Sequence, residues 1–214
     1  MYVFYVKGLS LGENVLNNEE SHHAIKVLRL KAGNEIIVTD GKGLKTKALI
    51  TVPDSRSCYF EPIEDPLICP PRPFELHIAI APTKNIDRIE WFLEKATECG
   101  IDTITPLICD NSERLVIKPD RLEKILLSAM KQSLRTHLPV LNQPFKSKDF
   151  IKLPFHGQKF IPHCYDNERA SFKETYKKGN NALVLIGPEG DFSVHELDLA
   201  ISNGFMPVSM GNFR

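Results

Sequence analysis

A loop close to the C-terminal end of the chain combines residue types that suit ligand binding. The apolar run Ala182–Ile186 predicts a buried strand, and Gly187-Pro188-Glu189-Gly190 follows it directly. Glycines let the backbone approach a ligand or adopt positive φ, and proline stiffens the turn. Ser193 and Glu196 form a capping box that opens a helix, whose N-terminus favours negative charge. The pattern is typical of a cofactor-binding loop, although an ordinary strand-to-helix turn uses the same residue types.

Several common kinds of site are disfavoured by the motifs that the sequence lacks. It has no Gly-x-Gly-x-x-Gly and no P-loop lysine, so a Rossmann dinucleotide site and a P-loop are not expected. The pair His22-His23 has no third ligand at suitable spacing, and the five cysteines include no Cys-x-x-Cys pair. We therefore expect no metal site and no disulfide framework. Reduced thiols are typical of a cytoplasmic protein.

Charge is unevenly distributed along a chain whose 27 basic and 27 acidic residues sum to zero. Residues 112–148 carry eight basic side chains and three acidic ones. Among them, Arg121, Lys124, Lys131 and Arg135 have the spacing of one helix face. A solvated helix face has the same appearance. The shortage of acidic partners nearby in the sequence favours contact with phosphates.

The elements that must position these residues fall into two parts. The first part predicts a small β-barrel, because short strands must close or stack to bury a core. Its predicted strands are Tyr2–Lys7, Glu35–Thr39, Leu44–Val52 and Ser57–Ile63, with a helix near Glu20–Leu30. Four prolines within Asp65–Pro73 predict a stiff linker. We place one domain at 1–70 and a second at 74–214.

In the second part, strands and helices alternate, which indicates a mostly parallel α/β sheet. The predicted strands are Leu76–Ile80, Thr103–Cys109, Lys159–Tyr165, Ala182–Ile186 and Phe205–Met210. The predicted helices run from Asn85 to Gly100, from Pro119 to Leu134, over Glu168–Lys177 and from Ser193 to Gly204. Ligands bind at the carboxyl ends of such strands, where the glycine loop lies. No apolar run approaches the ~20 residues that span a bilayer, so we expect no membrane contact.

Five groups of residues, in order along the chain, carry a family resemblance. They are His22–Arg29 with Asp40–Gly43, Lys84 with Glu94–Ile101, Ser112–Arg114, Gln132–Arg135 with Pro139, and Ile186–Ser193 with Glu196, Met210 and Gly211. The series resembles the RsmE-type ribosomal RNA uracil-N3 methyltransferases of the SPOUT, or trefoil-knot, superfamily. The resemblance implies an N-terminal PUA-like β-barrel that binds RNA, a knotted C-terminal α/β domain, and a homodimer.

The resemblance also implies a ligand and a reaction. The cofactor is S-adenosylmethionine, the substrate is small-subunit ribosomal RNA in an assembled particle, and a methyl group is added to N3 of a uridine. The implied cofactor-binding residues are His163, Ile186, Gly187, Pro188, Glu189, Gly190, Met210 and Gly211. Because N3 carries a proton that must leave, a base or an anion-stabilising cation is needed, and the candidates are Arg135, Arg114 and Glu189. The expected RNA contacts are His22, Arg29, Arg114, Arg121, Lys124 and Arg135.

Two departures from the family pattern bear on the site. Asp191 stands where the family usually has a third glycine, which adds a charge beside the cofactor loop. Family members continue with a Leu-Arg-Thr-Glu-Thr-Ala-like helix beyond the position of Arg214, where this sequence ends, so we expect one wall of the site to be incomplete. Two other functions stay open: action of the same fold on another RNA position, and RNA binding without catalysis.

Overall fold

The chain divides into two compact units, which a computed structural model describes over residues 1–165 and 169–211. One unit is Met1–Pro71 together with Leu126–Leu138, and the other begins at Arg72 and resumes at Pro139. Glu168, the predicted start of a helix, and Arg214, which with Met210 and Gly211 resembles the beginning of the family's final motif, lie outside the described residues. The inclusion of residues 126–138 in the first unit was not predicted from the sequence.

The first unit is built on a five-stranded sheet in the order β1-β2-β3-β4, with β5 pairing with β3. The strands are β1 (Val3–Tyr5), β2 (Glu35–Thr39), β3 (Leu44–Val52), β4 (Tyr59–Pro62) and β5 (Leu67–Ile68). The helix α1 (Asn18–His22) continues as a π-helix over His23–Val27. Alternate residues of β2 and β3 are buried, and their apolar side chains pack with Phe4 and Phe60 into one core.

Two segments of this unit differ from the prediction. The proline-rich stretch was predicted as a stiff linker, whereas Leu67 and Ile68 within it pair with Lys45 and Leu44 of β3. Proline has no backbone N–H and cannot donate within a sheet. The prolines here flank the two paired residues, so they are compatible with a strand of this length. Residues 136–138 also join the unit through the backbone, because Gly43 N–H donates to Thr136 O at 2.9 Å and Leu138 N–H to Gly41 O at 2.8 Å.

The second unit contains a parallel sheet in the order β11-β13-β10-β12-β6-β7-β8, with β9 also pairing with β7. Its strands are β6 (Leu76–Ile80), β7 (Thr103–Ile108), β8 (Val140–Leu141), β9 (Phe145–Lys146), β10 (Gln158–Pro162), β11 (Ala170–Ser171), β12 (Ala182–Ile186) and β13 (Met206–Ser209). Its helices are α2 (Ile86–Cys99), α3 (Pro119–Gln132, whose residues from Leu126 belong to the first unit), α4 (Ser147–Phe150), α5 (Phe172–Thr175) and α6 (Val194–Ser202). The predicted alternation of strands and helices in a parallel sheet is confirmed.

The caps of α2 follow from the sequence, whereas the extent of α5 does not. Asn85 accepts from Asp87 N–H at 3.0 Å, and Gly100 ends α2 in the left-handed conformation with φ 86°. The helix predicted over Glu168–Lys177 was wrong in extent. Ala170 and Ser171 pair with β13 instead, and four residues of helix follow. A sheet partner more than thirty residues away overrides local helix propensity here. None of the helices in the described part of the chain is long and apolar enough to cross a membrane.

A buried histidine gives the second unit a pH-dependent stability. Thr105 Oγ1 forms a hydrogen bond of 2.8 Å with His77 Nε2 and accepts from Asn142 Nδ2 at 2.8 Å. Burial lowers the pKa of His77 below its ordinary 6.5, and Glu75 opposes this shift more weakly. His77 is therefore neutral in the folded protein near neutral pH.

Acidification is expected to destabilise the protein through His77. Between the lowered folded-state pKa and the unfolded value of 6.5, the unfolded chain binds more protons, so stability falls as the pH decreases below 6.5. Thermal midpoints at about pH 7.5 and 5.5 measure the effect. The difference between them should be smaller in His77→Gln, which keeps a polar partner for Thr105. An unchanged difference would show that His77 does not contribute.

Candidate functional site

The carboxyl ends of β10, β12 and β13 surround a cleft of about 560 Å³ within the second unit. Its size lies within the range of ordinary small-molecule sites. The lining residues are Pro162, His163, Cys164, Arg169, Ile186, Gly187, Pro188, Glu189, Asp191, Val208, Ser209, Met210 and Gly211. Apolar side chains and the backbone of strand ends thus form the walls, with a few polar side chains, which is a composition that suits an aromatic base joined to a polar group.

The loop after β12 is shaped by one left-handed residue, Asp191. Its φ is 60°, and its N–H donates to Pro188 O at 2.9 Å, which closes a turn. Gly187 and Gly190 do not have positive φ. Gly187 is required for packing instead, because a Cβ there would lie 3.1 Å from two ring carbons of the fully buried Phe192. The left-handed conformation therefore falls on the position where the resemblance implies glycine.

Gly187→Ala is expected to lower the free energy of unfolding by about 1–3 kcal/mol, the usual cost of overpacking a rigid site. The new methyl group would press on the ring of Phe192, which is fully buried in the core of the second unit. Urea denaturation of Gly187→Ala, Phe192→Leu and the double variant forms a double-mutant cycle. The double variant should lose less free energy of unfolding than the sum of the losses in the two single variants. Simple additivity would show that the methyl group and the ring do not clash.

The loop after β10 is tied to the loop after β12 by two hydrogen bonds. Cys164 N–H donates to Asp191 Oδ2 at 2.6 Å, and the Tyr165 hydroxyl donates to Phe192 O at 2.8 Å. His163, which is 5% exposed, accepts from Tyr165 N–H through Nδ1 at 3.2 Å. Burial and the nearby Arg169 lower the pKa of His163, and Asp191 opposes the shift. The histidine therefore enters the cleft as a neutral ring.

A buried side chain, Glu196, joins three elements of the second unit. One oxygen accepts from Asp110 N–H at 3.0 Å and from Ser147 Oγ, and the other accepts from Ser193 N–H at 2.8 Å. Ser193 Oγ accepts in turn from Glu196 N–H at 3.2 Å, which completes the predicted capping box of α6. The start of α6, the end of β7 and α4 are thus joined through one side chain.

Two of the three candidate catalytic residues hold the same stretch of backbone. Arg114 donates from Nε to Thr83 O at 3.0 Å and from a terminal nitrogen to Lys84 O. Glu189 Oε1 accepts from Lys84 N–H at 3.0 Å. Arg114 therefore supports the loop after β6, whereas Glu189 lines the cleft. The third candidate, Arg135, is exposed and belongs to the first unit.

Carboxylates distant in the sequence pair with several cations of the basic segment. Arg121 Nε lies 2.5 Å from Glu90, Lys131 Nζ lies 2.5 Å from Glu20, and Lys148 Nζ lies 2.8 Å from Asp110. The partners of these cations come from other elements, so a count of acidic residues within the segment understates how far its positive charge is neutralised. Lys124 is exposed on α3, and His22 and Arg29 are exposed in the first unit. Arg29 has φ 56°.

The predicted cofactor residues converge on the cleft with one exception. His163, Ile186, Gly187, Pro188, Glu189, Met210 and Gly211 line it, whereas Gly190 does not. Gly190 lies beside Asn111, whose amide donates to Gly190 O at 3.0 Å. Sequence reasoning missed Arg169 and Ser209 and did not place Asp191 in the lining. Ser209 is the last residue of β13, and its position at the end of a predicted strand was the signal for it, whereas Arg169 precedes β11 and had no such signal. Among the described residues, no cluster of three or more His, Cys, Asp or Glu side chains could hold a metal ion.

A parallel α/β sheet with a ligand-sized cleft at its carboxyl edge defines a class of ligand-binding α/β proteins, many of them enzymes. The chain belongs to the RNA methyltransferase family, because the RNA methyltransferase domain matches residues 70–213 and the RNA methyltransferase PUA domain matches residues 16–63. The parallel sheet and the cleft both lie in the part of the chain that the first match covers.

Three known proteins illustrate this membership. A probable rRNA-methyltransferase from Porphyromonas gingivalis is 36% identical, with a TM-score of 0.89 over 100% of this chain and 91% of that one. Ribosomal RNA small subunit methyltransferase E of Synechocystis is 27% identical over 92% of this chain, which spans 66% of that protein. The enzyme of that name from Neisseria gonorrhoeae, solved with S-adenosyl methionine, has the same fold, with a TM-score of 0.83 and 24% identity over 100% of this chain and 90% of that one.

Proposed function

We propose that this protein transfers a methyl group from S-adenosylmethionine to N3 of a uridine in small-subunit ribosomal RNA. The observation that carries the proposal is the cleft of about 560 Å³ at the joined ends of β10, β12 and β13 in a chain of the RNA methyltransferase family. The names of the Synechocystis and Neisseria relatives, and the S-adenosyl methionine bound to the latter, support the substrate and the cofactor. The uridine N3 position rests on the family resemblance.

The residues of the cleft fit the cofactor. Ile186, Pro188 and Val208 offer apolar packing for an adenine, and strand-end backbone groups can bind its edge. Arg169 offers a cation for the carboxylate of the cofactor, and the anions Glu189 and Asp191 suit a ligand that carries positive charge. When bound, the cofactor supplies a methyl group activated by its sulfonium. The protein positions the uracil, excludes water and accepts the N3 proton, for which Glu189 is the candidate in the cleft.

The register around β13 supports a trefoil knot in the second unit. Val208 has Pro162 beside it on one side and Ala170 on the other. β13 therefore lies between β10 and β11, although it follows both in the chain. A strand that enters the sheet between two earlier ones is compatible with a knot, which is itself a rare feature of protein chains. The first unit, with its PUA match, is the RNA-binding β-barrel.

RNA binding involves the exposed residues His22, Arg29, Lys124 and Arg135, together with Arg114 and Arg121. Arg121 and Arg114 also contact protein groups, Glu90 and Thr83 O. Exposed apolar side chains of the second unit, including Trp91, Leu115 and Val116, support a homodimer. The proposed location is the cytoplasm, because the proposed substrate is ribosomal RNA assembled with its proteins.

Calorimetric titration with S-adenosylmethionine tests the cofactor, and nucleoside mass spectrometry of 16S RNA from a deletion strain tests the substrate. We expect the protein to bind S-adenosylmethionine. We also expect the deletion strain to lose N3-methyluridine from its 16S RNA and to regain it when the intact gene is restored. Loss of a different methylated nucleoside would establish the alternative of another RNA position. RNA binding that is sensitive to salt but indifferent to the cofactor, with no methylated nucleoside lost, would establish the non-catalytic alternative.

A further inference from the structure

Asp191 has features that a simple turn residue would not need. Its backbone lies in the left-handed region, with φ 60°, which glycine occupies at lower cost. Its carboxylate is held by two backbone donors, Phe192 N–H on Oδ1 at 2.8 Å and Cys164 N–H on Oδ2 at 2.6 Å. Asn111 donates to its carbonyl oxygen at 3.1 Å. The side chain and the main chain are therefore both fixed at the wall of the cleft.

The fixed carboxylate determines the sign of the charge in the cleft. Among the lining residues, Arg169 is cationic, Glu189 and Asp191 are anionic, and His163 is neutral near pH 7 because its pKa is lowered. The lining thus has one excess negative charge, and a glycine in place of Asp191 would bring it to neutrality. Because both carboxylate oxygens accept from backbone N–H groups, the charge is held at the wall of the cleft.

We infer that Asp191 is a specificity-determining residue, which makes the cleft prefer cationic S-adenosylmethionine over its neutral product S-adenosylhomocysteine. The inference rests on the proposed function and deepens it. The two molecules share the adenosine and the amino acid, and they differ by the methyl group and the positive charge on sulfur. Hydrogen bonds and packing common to both cannot discriminate between them. A fixed anion in a partly enclosed cleft attracts the charged form, and it thereby favours product release after each turnover.

The test compares the dissociation constants of the two ligands by calorimetry for the wild type and three variants. Asp191→Asn removes the charge, but it keeps the size of the side chain and tolerates the left-handed conformation. Asp191→Gly removes both the charge and the hydrogen bond from Cys164 N–H without straining the backbone. Asp198→Asn makes the same chemical change on the exposed surface of α6, outside the lining of the cleft. Thermal midpoints of the variants confirm that each is folded.

In Asp191→Asn and Asp191→Gly, the preference for S-adenosylmethionine over S-adenosylhomocysteine is expected to fall about tenfold, the size of one short-range charge interaction in a partly solvated cleft. Asp198→Asn should leave the preference unchanged. Raising the salt from about 0.05 to 0.5 M should reduce the preference of the wild type more than that of Asp191→Asn.

If the Asp191 variants bound both ligands more weakly by the same factor, the inference would be overturned and Asp191 would have a purely structural role. The cofactor proposal would stand in that case. A wild-type protein that binds neither ligand would overturn the cofactor proposal and this inference together. A preference that changes equally in Asp198→Asn would trace the effect to net charge and also overturn the role of Asp191.

Discussion

Replacing Glu196 with alanine is expected to lower the free energy of unfolding by about 3–5 kcal/mol, because several buried donors would lose their acceptor at about 1–3 kcal/mol each. Glu196 is fully buried, and its oxygens accept from Asp110 N–H, Ser147 Oγ and Ser193 N–H. Alanine would leave these donors without an acceptor and would remove the capping box of α6. The thermal midpoint should fall by roughly 6–20 °C.

The matched control is Asp198→Ala, which removes a carboxylate from an exposed position of the same helix and should cost less than about 0.5 kcal/mol. Glu196→Gln keeps one carbonyl oxygen as an acceptor and should fall between the two. Calorimetric or urea unfolding measures all three variants. A loss for Glu196→Ala no larger than that of the surface control would refute the supporting role of the network.

Replacing Glu189 with glutamine is expected to lower kcat by about 100-fold, a typical contribution of a general base. Glu189 lines the cleft and is the proposed acceptor of the uracil N3 proton. Glutamine retains an oxygen that can accept from Lys84 N–H, a bond of 3.0 Å in the wild type, so the loop after β6 stays in place. The dissociation constant for S-adenosylmethionine should rise by less than about tenfold, since one nearby charge is lost.

Methyl transfer to a ribosomal RNA fragment under saturating cofactor separates kcat from binding in this experiment. Glu174→Gln makes the same change at an exposed position of α5, outside the cleft, and should have wild-type turnover. If Glu189→Gln kept kcat within about threefold of the wild type, far less than loss of a general base costs, the proton acceptor would have to be another group. Arg135→Ala would then be the next variant to measure.

Much of the second unit could be predicted from the sequence because its information is local. Asn85 and Gly100 mark the ends of α2, and Ser193 with Glu196 forms the box that opens α6, since these motifs act over three or four residues. The same holds for the glycine loop after β12, which predicted a ligand site at a strand end. The burial of Ala182–Ile186 could likewise be predicted, because every residue of this run is apolar.

The tertiary structure alone decided what depends on partners far apart in the chain. Arg121 pairs with Glu90 and Lys131 with Glu20, so counting charges within a segment overstated the free positive charge. Pairing of Ala170 with β13 likewise replaced the start of a predicted helix.

The loop after β12 shows most clearly which features the sequence determined and which the tertiary structure decided. Its sequence indicated a ligand site, but its glycines suggested the wrong position for the left-handed turn. The structure assigns that turn to Asp191, whose carboxylate binds Cys164 N–H twenty-seven residues earlier. Local residue types determine where a turn forms, whereas the choice of its strained residue depends on which distant groups stabilise it.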